Sequence, residues 1–289
     1  MPGADGEIAG RTALTEAESA QVRDVIAACN LAERLDLKVD IEGLRAASDD
    51  ARNVFLAPAV ESLAGFFTLD GGREIELCGG VHPDFRRQGI GRALLAAARE
   101  ECRRRGAAKL LLICEDDSRS GQEFVATLDA RREFAEHRME LDVSAAGAPA
   151  VTGSLTLRPA TREDQPAIAH ITALAFARDE AGERQHLAAD MENPAERFFL
   201  ALRGDVPVGT LKILSVPPRA FIYGFAVLPD HQGRGFGREI LKRTIRLLSQ
   251  EGWTRIGLEV DTENTRAYHL YASAGFRQIT TYGYFALPL

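Results

Sequence analysis

The chain contains one segment twice, and this repeat limits its possible folds more than any other feature of the sequence. A shift of 146 residues places Val81–Asp117 over Val227–Glu263 without a gap, and nine positions are then identical, among them Gly89 and Gly235. A chain of 289 residues is long enough for two domains of about 100–200 residues each. The sequence therefore predicts two copies of one fold.

Composition predicts where one copy ends and the other begins. Residues 144–154 are rich in small residues and carry no charge, as linkers often do. This places a first domain at residues 1–145, a linker at 146–154 and a second domain at 155–289. The same shift aligns Thr15 with Thr161, and an acidic residue follows each of them three positions later, which predicts a capped helix start in both copies.

Strand patterns and helix patterns alternate within each copy. In the second copy they predict helices at 161–176, around 184–191 and at 238–250, strands at 197–203, 206–216, 220–228 and 255–260, and a glycine-rich turn at 230–237. Paired strands separated by helices favour the α/β class with a mixed sheet. The helix at 238–250 has one apolar stripe, so we expect it to pack one face on that sheet.

Composition and charge exclude several classes of function. The chain has 35 basic and 42 acidic residues, and neither half is strongly basic, because residues 1–150 carry a net charge of −8 and residues 151–289 carry +1. We therefore expect neither nucleic acid nor a membrane as a partner. The four cysteines show no metal-ligand spacing, which predicts buried reduced thiols, and the sequence shows no signal peptide, so we expect a cytoplasmic protein.

A glycine-rich turn joins an apolar strand to a helix in both copies. In the second copy it reads Gln232-Gly-Arg-Gly-Phe-Gly-Arg238, and its small residues leave backbone N–H groups uncovered beside the positive end of a helix dipole. Such a turn can hold a phosphate group, although a turn that only packs a helix against a strand is the alternative. The turn fits neither a Walker loop nor the dinucleotide-binding fingerprint.

A second motif follows this turn in the second copy. It reads Asn-x-x-Ala-x-x-Leu-Tyr-x-x-x-Gly-Phe and runs from Asn264 to Phe276, after a Val-x-Pro-x-x-(Gln/Arg)-x-x-Gly-x-Gly motif that begins at Val227. Together the two motifs resemble those of the GCN5-related N-acetyltransferase (GNAT) family. The resemblance implies two tandem acyl-CoA N-acyltransferase domains that use acetyl-CoA (coenzyme A). The layout is similar to that of mycothiol synthases, which are tandem members of the family.

The resemblance assigns roles to residues of the second copy. It implies that the strand end pairs with the pantetheine arm of acetyl-CoA, that the turn holds the pyrophosphate and that Asn264 holds the arm. Tyr271 matches the family's general acid, which protonates the departing CoA thiolate. The cofactor-binding residues expected in this copy are Phe225, Ala226, Val227, Gln232, Gly233, Arg234, Gly235, Phe236, Gly237, Arg238 and Asn264.

The first copy keeps the turn and lacks the second motif. Ser118 and Val125 stand where the second copy has Asn264 and Tyr271, and all five tyrosines of the chain lie after residue 150. We therefore expect the first copy to be catalytically degenerate. It could still bind the cofactor, and the residues expected to do so are Val81, Arg86, Arg87, Gln88, Gly89, Ile90, Gly91 and Arg92.

The general base stays unassigned by the sequence. Glu74 and Glu76 lie in the region where some family members place a carboxylate, and charges on a solvated strand face are the alternative. Glu259 could face the cleft through water or point elsewhere. The six histidines show no metal spacing, and we expect no metal.

We expect the chain to move acetyl from acetyl-CoA to a primary amine of a small molecule by direct attack in a ternary complex. Two other functions stay open at this stage. One is acetylation of a protein or peptide amine, and the other is an acyl-CoA-binding sensor without turnover. The acceptor and the oligomeric state are not determined by the sequence.

Overall fold

A computed structural model describes residues 7–46, 51–147, 149–193 and 195–289. These residues form two compact units. The first unit is Met1–Glu136 with Thr280–Leu289, and the second unit is His137–Ile279. In the described residues no helix is long and apolar enough to cross a membrane.

The helices and strands of the first repeat are β1 (Ala9–Arg11), α1 (Glu16–Glu33), α2 (Ile41–Ala46), β2 (Val54–Ala59), β3 (Ser62–Gly71), β4 (Glu74–Val81), α3 (Ile90–Arg104), β5 (Lys109–Glu115), α4 (Arg119–Val125) and β6 (Arg131–Asp142). The remaining elements are α5 (Val143–Ala146), β7 (Leu155–Pro159), α6 (Gln165–Phe176), α7 (Glu180–Asp190), β8 (Glu196–Arg203), β9 (Val206–Val216), β10 (Arg219–Val227), α8 (Phe236–Gln250), β11 (Arg255–Asp261), α9 (Thr265–Ser273) and β12 (Arg277–Leu287).

Both units are built on a mixed sheet with helices, which confirms the predicted fold class. In the first unit the strand order is β1-β2-β3-β4-β5-β12-β6, with antiparallel neighbours up to β4 and a parallel β4–β5 pair. In the second unit the order is β6-β11-β10-β9-β8-β7, with a parallel β10–β11 pair. In each unit the parallel pair is joined by a helix, α3 or α8, that packs on one face of the sheet.

Local sequence signals set the helix starts. Thr15 and Glu18 form a capping box at the start of α1, and Thr161 and Asp164 form the same arrangement before α6, as predicted. The stripe of apolar residues on α8 is buried under the sheet, with Ile240, Leu241 and Leu248 fully inaccessible to solvent. The four cysteines are buried and unpaired, as expected from their spacing.

Strand exchange determines which residues make up each unit. β12, the last strand of the second repeat, pairs antiparallel with β5 in the first unit, from Tyr282 opposite Glu115 to Leu287 opposite Leu110. β6, the last strand of the first repeat, lies beside β11 in the second unit. The units therefore begin and end inside β6 and β12, whereas composition suggested a boundary at residues 146–154. In that segment, Ala146 ends α5 and residue 148 lies outside the described residues.

A buried carboxyl fixes the inserted strand in the first unit. Glu115, at the end of β5, accepts hydrogen bonds from the backbone N–H of Asp36 (2.8 Å) and from the hydroxyl of Thr280 at β12 (2.8 Å). Only 3% of its surface is exposed. Burial raises the pKa of Glu115 to about 7, and the charges of Asp36 and Asp117 act in the same direction.

Removal of residues 280–289 should loosen the first unit. The truncation takes away the strand that pairs with β5, together with Phe285 and Leu287 from the apolar core. We expect the amides of β5 to lose most of their protection in hydrogen–deuterium exchange, while those of β9 keep it. The exposed Ile279, changed to Ala, serves as the control. Unchanged protection of β5 in the truncated chain would show that β12 does not support it.

Glu115 should make stability depend on pH. Its pKa of about 7 in the folded state lies above the value of about 4.3 expected in an unfolded chain, so folding favours the protonated form. The stabilisation is complete below about pH 4 and is lost as the pH rises through 7, with about 2–3 kcal/mol of the free energy of unfolding lost between pH 5 and pH 8.

Urea unfolding followed by circular dichroism at these two pH values tests this expectation. Glu115→Gln should remove most of that pH dependence, whereas Glu100→Gln, at an exposed position, should leave it as in the parent chain. An equal pH dependence in the parent and in Glu115→Gln would contradict the assignment.

Candidate functional site

The two parallel strands of the second unit separate where the predicted site lies. β10 and β11 are paired at Ala220–Ile256, Phe221–Gly257 and Ile222–Leu258, and within the described residues no further pair follows. On its other side, β10 shifts register against β9 between Tyr223 and Ala226, where Gly224 has a φ of +55°. The backbone of Phe225–Val227 thus has an edge towards β11 without a strand partner.

The glycine-rich turn of the second unit leaves the start of α8 open. Gly233 and Gly235 have φ values of +74° and +85°, which side chains rarely allow. Gly235 caps α8 without a side-chain hydrogen bond, so the first N–H groups of the helix have no side-chain acceptor. The turn is braced by Gln232, whose amide donates to the carbonyl of Val227 (3.0 Å) and accepts from Arg266 (3.0 Å).

The charge at this turn is positive. Arg234 and Arg238 are exposed and form no ion pair with any part of the chain that the structure describes. Arg266 contacts only the neutral amide of Gln232 among the described residues. An anion at the open start of α8 would therefore meet unpaired guanidinium groups.

Asn264 and Tyr271 are placed by α9. The side-chain oxygen of Asn264 caps this helix by accepting from the N–H of Ala267 (3.1 Å), which leaves the amide NH₂ group of Asn264 for another partner. The ring of Tyr271 lies between Phe225 and Phe276, with centroid distances of 6.3 and 6.1 Å. Both side chains thus come from one short helix beside the separated strands.

Tyr271 is a buried phenol. Only 7% of its surface is exposed, and among the described residues its hydroxyl has no hydrogen-bond partner. Burial raises the pKa of Tyr271 to about 12, because the phenolate would lose its hydration. The phenol therefore stays protonated at neutral pH and has a proton to donate.

These groups line one cavity of about 480 Å³. Two of the expected residues, Arg234 and Phe236, lie outside its lining, and Phe236 packs near His231 and Arg203. The expected residues that the structure does bring together there are Phe225, Ala226, Val227, Gln232, Gly233, Gly235, Gly237, Arg238, Asn264 and Tyr271.

The first unit has a similar cavity of about 350 Å³, mostly apolar, beside the open end of β4. Its strands β4 and β5 are paired as far as Leu77–Leu112. Gln88 does not line the cavity, and its side chain reaches back to the carbonyl of Asp84. The expected residues in the lining are Val81, Arg86, Arg87, Gly89, Ile90, Gly91 and Arg92.

The charges of the first cavity are largely neutralised. Arg86 is bonded to Glu33, and the exposed Arg87 is bonded to Glu123. Arg87 also has a φ of +64°, at the position where the second unit has Gly233. An anion in this turn would compete with two carboxylates that the second turn lacks in the described residues.

The first cavity also lacks the groups that Asn264 and Tyr271 supply. Ser118 caps α4 through the N–H of Gly121 (3.1 Å), so the capping role survives and the amide donor does not. Strand exchange brings Tyr282 and Tyr284 into the first unit, which the sequence did not predict. Neither lines the cavity, and their hydroxyls donate to the Asp36 carbonyl (2.5 Å) and to Glu136 (2.7 Å).

The structure gives the candidate bases different surroundings. Glu76 lies 3.8 Å from the ammonium group of Lys38, and Glu74 lies 3.9 Å from that of Lys109, so both are ion-paired at the surface of the first unit. Glu259 alternates along β11 with the buried Leu258 and Val260, which places it on the face of the sheet opposite to α8. Among the described residues no group of three or more His, Cys, Asp or Glu could hold a metal ion.

One buried cation of the second unit was not predicted from the sequence. Arg138, on β6, is 3% exposed, and its guanidinium lies 4.1 Å over the ring of Phe221. Its Nη1 reaches neither solvent nor any hydrogen-bond acceptor in the described residues. The ring contact contributes about 0.5–2 kcal/mol, whereas removing a cation from water costs several. The only sequence signal is an arginine in a strand next to the buried Met139.

One family model matches most of the chain. The family model described as "Acetyltransferase (GNAT) family" matches residues 19–128 and 158–276. A mycothiol acetyltransferase of Kineococcus radiotolerans is 31% identical over 211 residues, which cover 70% of this chain and 68% of that protein.

Two solved structures share the fold over nearly the whole chain. One is a GCN5-related N-acetyltransferase from Sphaerobacter thermophilus, with a TM-score of 0.78, 20% identity and coverage of 97% of this chain and 95% of that one. The other is a tandem GNAT protein from the clavulanic acid biosynthesis pathway, with a TM-score of 0.73, 18% identity and 97% coverage of both chains. At these identities the likeness shows the fold alone.

Proposed function

The chain belongs to the acetyltransferase (GNAT) family, and from that membership we propose that its second repeat, residues 155–289, carries the catalytic groups. As a member of this family with mycothiol acetyltransferase relatives, it is an acetyl-CoA-dependent N-acetyltransferase. The acceptor we propose is the primary amine of a small molecule. The observation that supports the second repeat most directly is Tyr271, a buried phenol without a hydrogen-bond partner in the described residues, which lines the cavity beside the end of β10.

The residues of the second unit fit acetyl-CoA as a ligand. The backbone edge at Phe225–Val227 has no strand partner on the side of β11 and can bond to the amide groups of an extended arm, and the amide NH₂ of Asn264 can donate to it. The open start of α8, with Arg234 and Arg238, can hold a pyrophosphate. When bound, the cofactor supplies an acetyl thioester, whose carbonyl carbon is attacked by the amine.

The mechanism assigns two tasks to this chain. Tyr271 donates its proton to the thiolate that leaves, which removes the cost of releasing an unprotonated sulfur. A backbone N–H freed by the bulge of β10 stabilises the negative charge that develops on the thioester oxygen. The amine attacks in its neutral form, and its proton passes to water.

The first repeat has a weaker site in this proposal, with no chemistry of its own. Its turn keeps the open start of α3, since Gly89 caps that helix without a side-chain bond. Arg86 and Arg87 already donate hydrogen bonds to the carboxylates of Glu33 and Glu123. We therefore propose that Val81 and Arg86–Arg92 bind acetyl-CoA less tightly than the second repeat does. Val125 in place of Tyr271 leaves this site without a proton donor.

Tyr271→Phe should lower kcat by about 10²–10⁴-fold and leave the Kd for acetyl-CoA within about twofold, because the phenol acts on the leaving group. CoA release and calorimetric binding measure the two quantities. Since the pKa of Tyr271 is about 12, kcat should show no loss through this group up to pH 10.

Tyr268→Phe, on the same helix, is the matched control and should retain kcat. An unchanged kcat in Tyr271→Phe with a confirmed acceptor would remove Tyr271 from the mechanism. The acceptor assay should include an amine of the mycothiol type, aminoglycosides, polyamines and peptides. Turnover of peptides alone would favour a protein acceptor, and tight acetyl-CoA binding without any turnover would favour a sensor.

Arg238 and Arg92 occupy the same position in the two repeats and offer a paired test of the binding sites. Arg238→Ala should weaken acetyl-CoA binding about tenfold, because it removes an unpaired cation at the tighter site. Arg92→Ala should leave that tighter site unchanged in calorimetry. If Arg92→Ala weakens the tighter site more than Arg238→Ala, the order of the two sites is reversed.

A further inference from the structure

Arg138 lies in a place where the described residues give its Nη1 no hydrogen-bond acceptor. It projects from β6 over β11, and Gly257 makes the room for it, because a Cβ at that position would lie 2.2 Å from Nη1. Its guanidinium covers the ring of Phe221, which is paired with Gly257 across the two parallel strands. The guanidinium thus lies between Gly257 and the ring of Phe221, and its Nη1 has no hydrogen bond in the described residues.

Other charged groups on this face of the second unit have partners. Glu140, two residues along β6, accepts from Arg255 (2.6 Å) and lies 3.0 Å from Arg219. Lys212, on β9 opposite Tyr223, is bonded to Glu196 (2.8 Å) and Asp190 (3.1 Å). The charges of these neighbouring groups are therefore matched within the fold, whereas the side chain of Arg138 has no ion pair or hydrogen bond among the described residues.

The position of Arg138 connects it with the proposed catalytic site. Phe221 and Gly257 form the second-to-last pair before β10 and β11 separate. The ring of Phe221 stacks on that of Tyr223, with a centroid distance of 5.9 Å and an angle of 15°, and the bulge of β10 begins at Tyr223. Contacts between neighbouring side chains thus run from Arg138 over Phe221 to Tyr223, where the bulge of β10 begins.

We propose that Arg138 binds an anionic oxygen group, a carboxylate or a phosphate, of the amine that the enzyme acetylates. The inference rests on the proposed function, because it takes the gap between β10 and β11 as the place of acetyl transfer. A guanidinium presents a planar set of donors that fits both anions, and a paired charge offsets burial better than a neutral hydroxyl does. Arg138 would then be a specificity-determining residue for the acceptor.

The first unit has a tyrosine at the position equivalent to Arg138. The shift of 146 residues maps Arg138 onto Tyr284, in the inserted strand β12. The hydroxyl of Tyr284 accepts from Lys38 (2.6 Å) and donates to Glu136 (2.7 Å), so this position is satisfied within the protein. Of these two equivalent positions, the one without a hydrogen-bond acceptor in the described residues is Arg138, in the unit that we propose to be active.

Pairs of amines that differ by one anionic group test the proposal in the full-length enzyme. The pairs are 4-aminobutyrate and butylamine, L-cysteine and cysteamine, and glucosamine 6-phosphate and glucosamine. We expect the parent enzyme to prefer the anionic member of at least one pair in kcat/KM for CoA release. Arg138→Met should reduce that preference at least tenfold and leave kcat/KM for the neutral member within about twofold. The carboxylate and phosphate pairs separate the two possible anions.

Two further variants keep the test decisive. Gly257→Ala displaces the guanidinium without removing it and should reduce the same preference, and Tyr284→Phe should leave it unchanged. Arg138→Met should not lower the Tm of the unliganded protein, because an unsatisfied buried cation is replaced by an apolar side chain of similar length. If Arg138→Met does not fold, the preference for the anionic amine is measured in Arg138→Lys. This variant keeps the charge and loses the planar donors, so the preference should fall.

Binding measured by thermal shift separates this proposal from the proposed function. Turnover of neutral amines with no anionic preference, or with a preference that Arg138→Met retains, overturns the role of Arg138 alone. Anionic amines that raise Tm in the parent and not in Arg138→Met, without any turnover, support Arg138 and count against the catalytic proposal. If no anionic amine shows either effect in the parent enzyme, the role of Arg138 is wrong.

Discussion

The limited pairing of two parallel strands is the constraint on which the proposed site depends. β10 and β11 share three residue pairs and then separate, and a bulge on the other side of β10 adds to the separation. Backbone amides and carbonyls need partners, so an edge left without them inside a folded unit is ready to bind an extended ligand. The glycine turn, the start of α8 and the helix that carries Tyr271 all surround this opening.

The two repeats show how one backbone plan can hold two different sites. Both units have parallel strands that separate, a helix whose N-cap is a glycine without a side-chain hydrogen bond, and a cavity beside the start of that helix. They differ in side chains that act through charge and hydrogen bonding. Carboxylates neutralise Arg86 and Arg87 in the first cavity, whereas Arg234 and Arg238 have no such partners in the described part of the second unit. The net charges of the two halves of the sequence, −8 and +1, point in the same direction.

Strand exchange gives two buried ionisable groups surroundings that local sequence patterns do not predict. Glu115 is held in the first unit by Thr280, which is 165 residues away in the chain. Arg138 comes from the first repeat and lies over Phe221 and Gly257 of the second unit. Burial of such groups lowers stability, and natural proteins retain a destabilising residue mainly where it serves a function. In our proposal, the site of the second unit is thus completed by Arg138, a residue from outside the second repeat.

The sequence alone determined the features that depend on neighbouring residues. The repeat, the capping boxes, the glycine turns, most strand bounds and the places of Asn264 and Tyr271 follow from spacing within a few turns or one strand. Only the tertiary structure decided that β6 and β12 change places, that Glu33 occupies Arg86 and that Arg138 has no acceptor in the described residues. Those features depend on residues some 50 to 180 positions apart in the chain. Local patterns carry no record of such pairs, because the free energy that selects them comes from packing and desolvation in the folded chain.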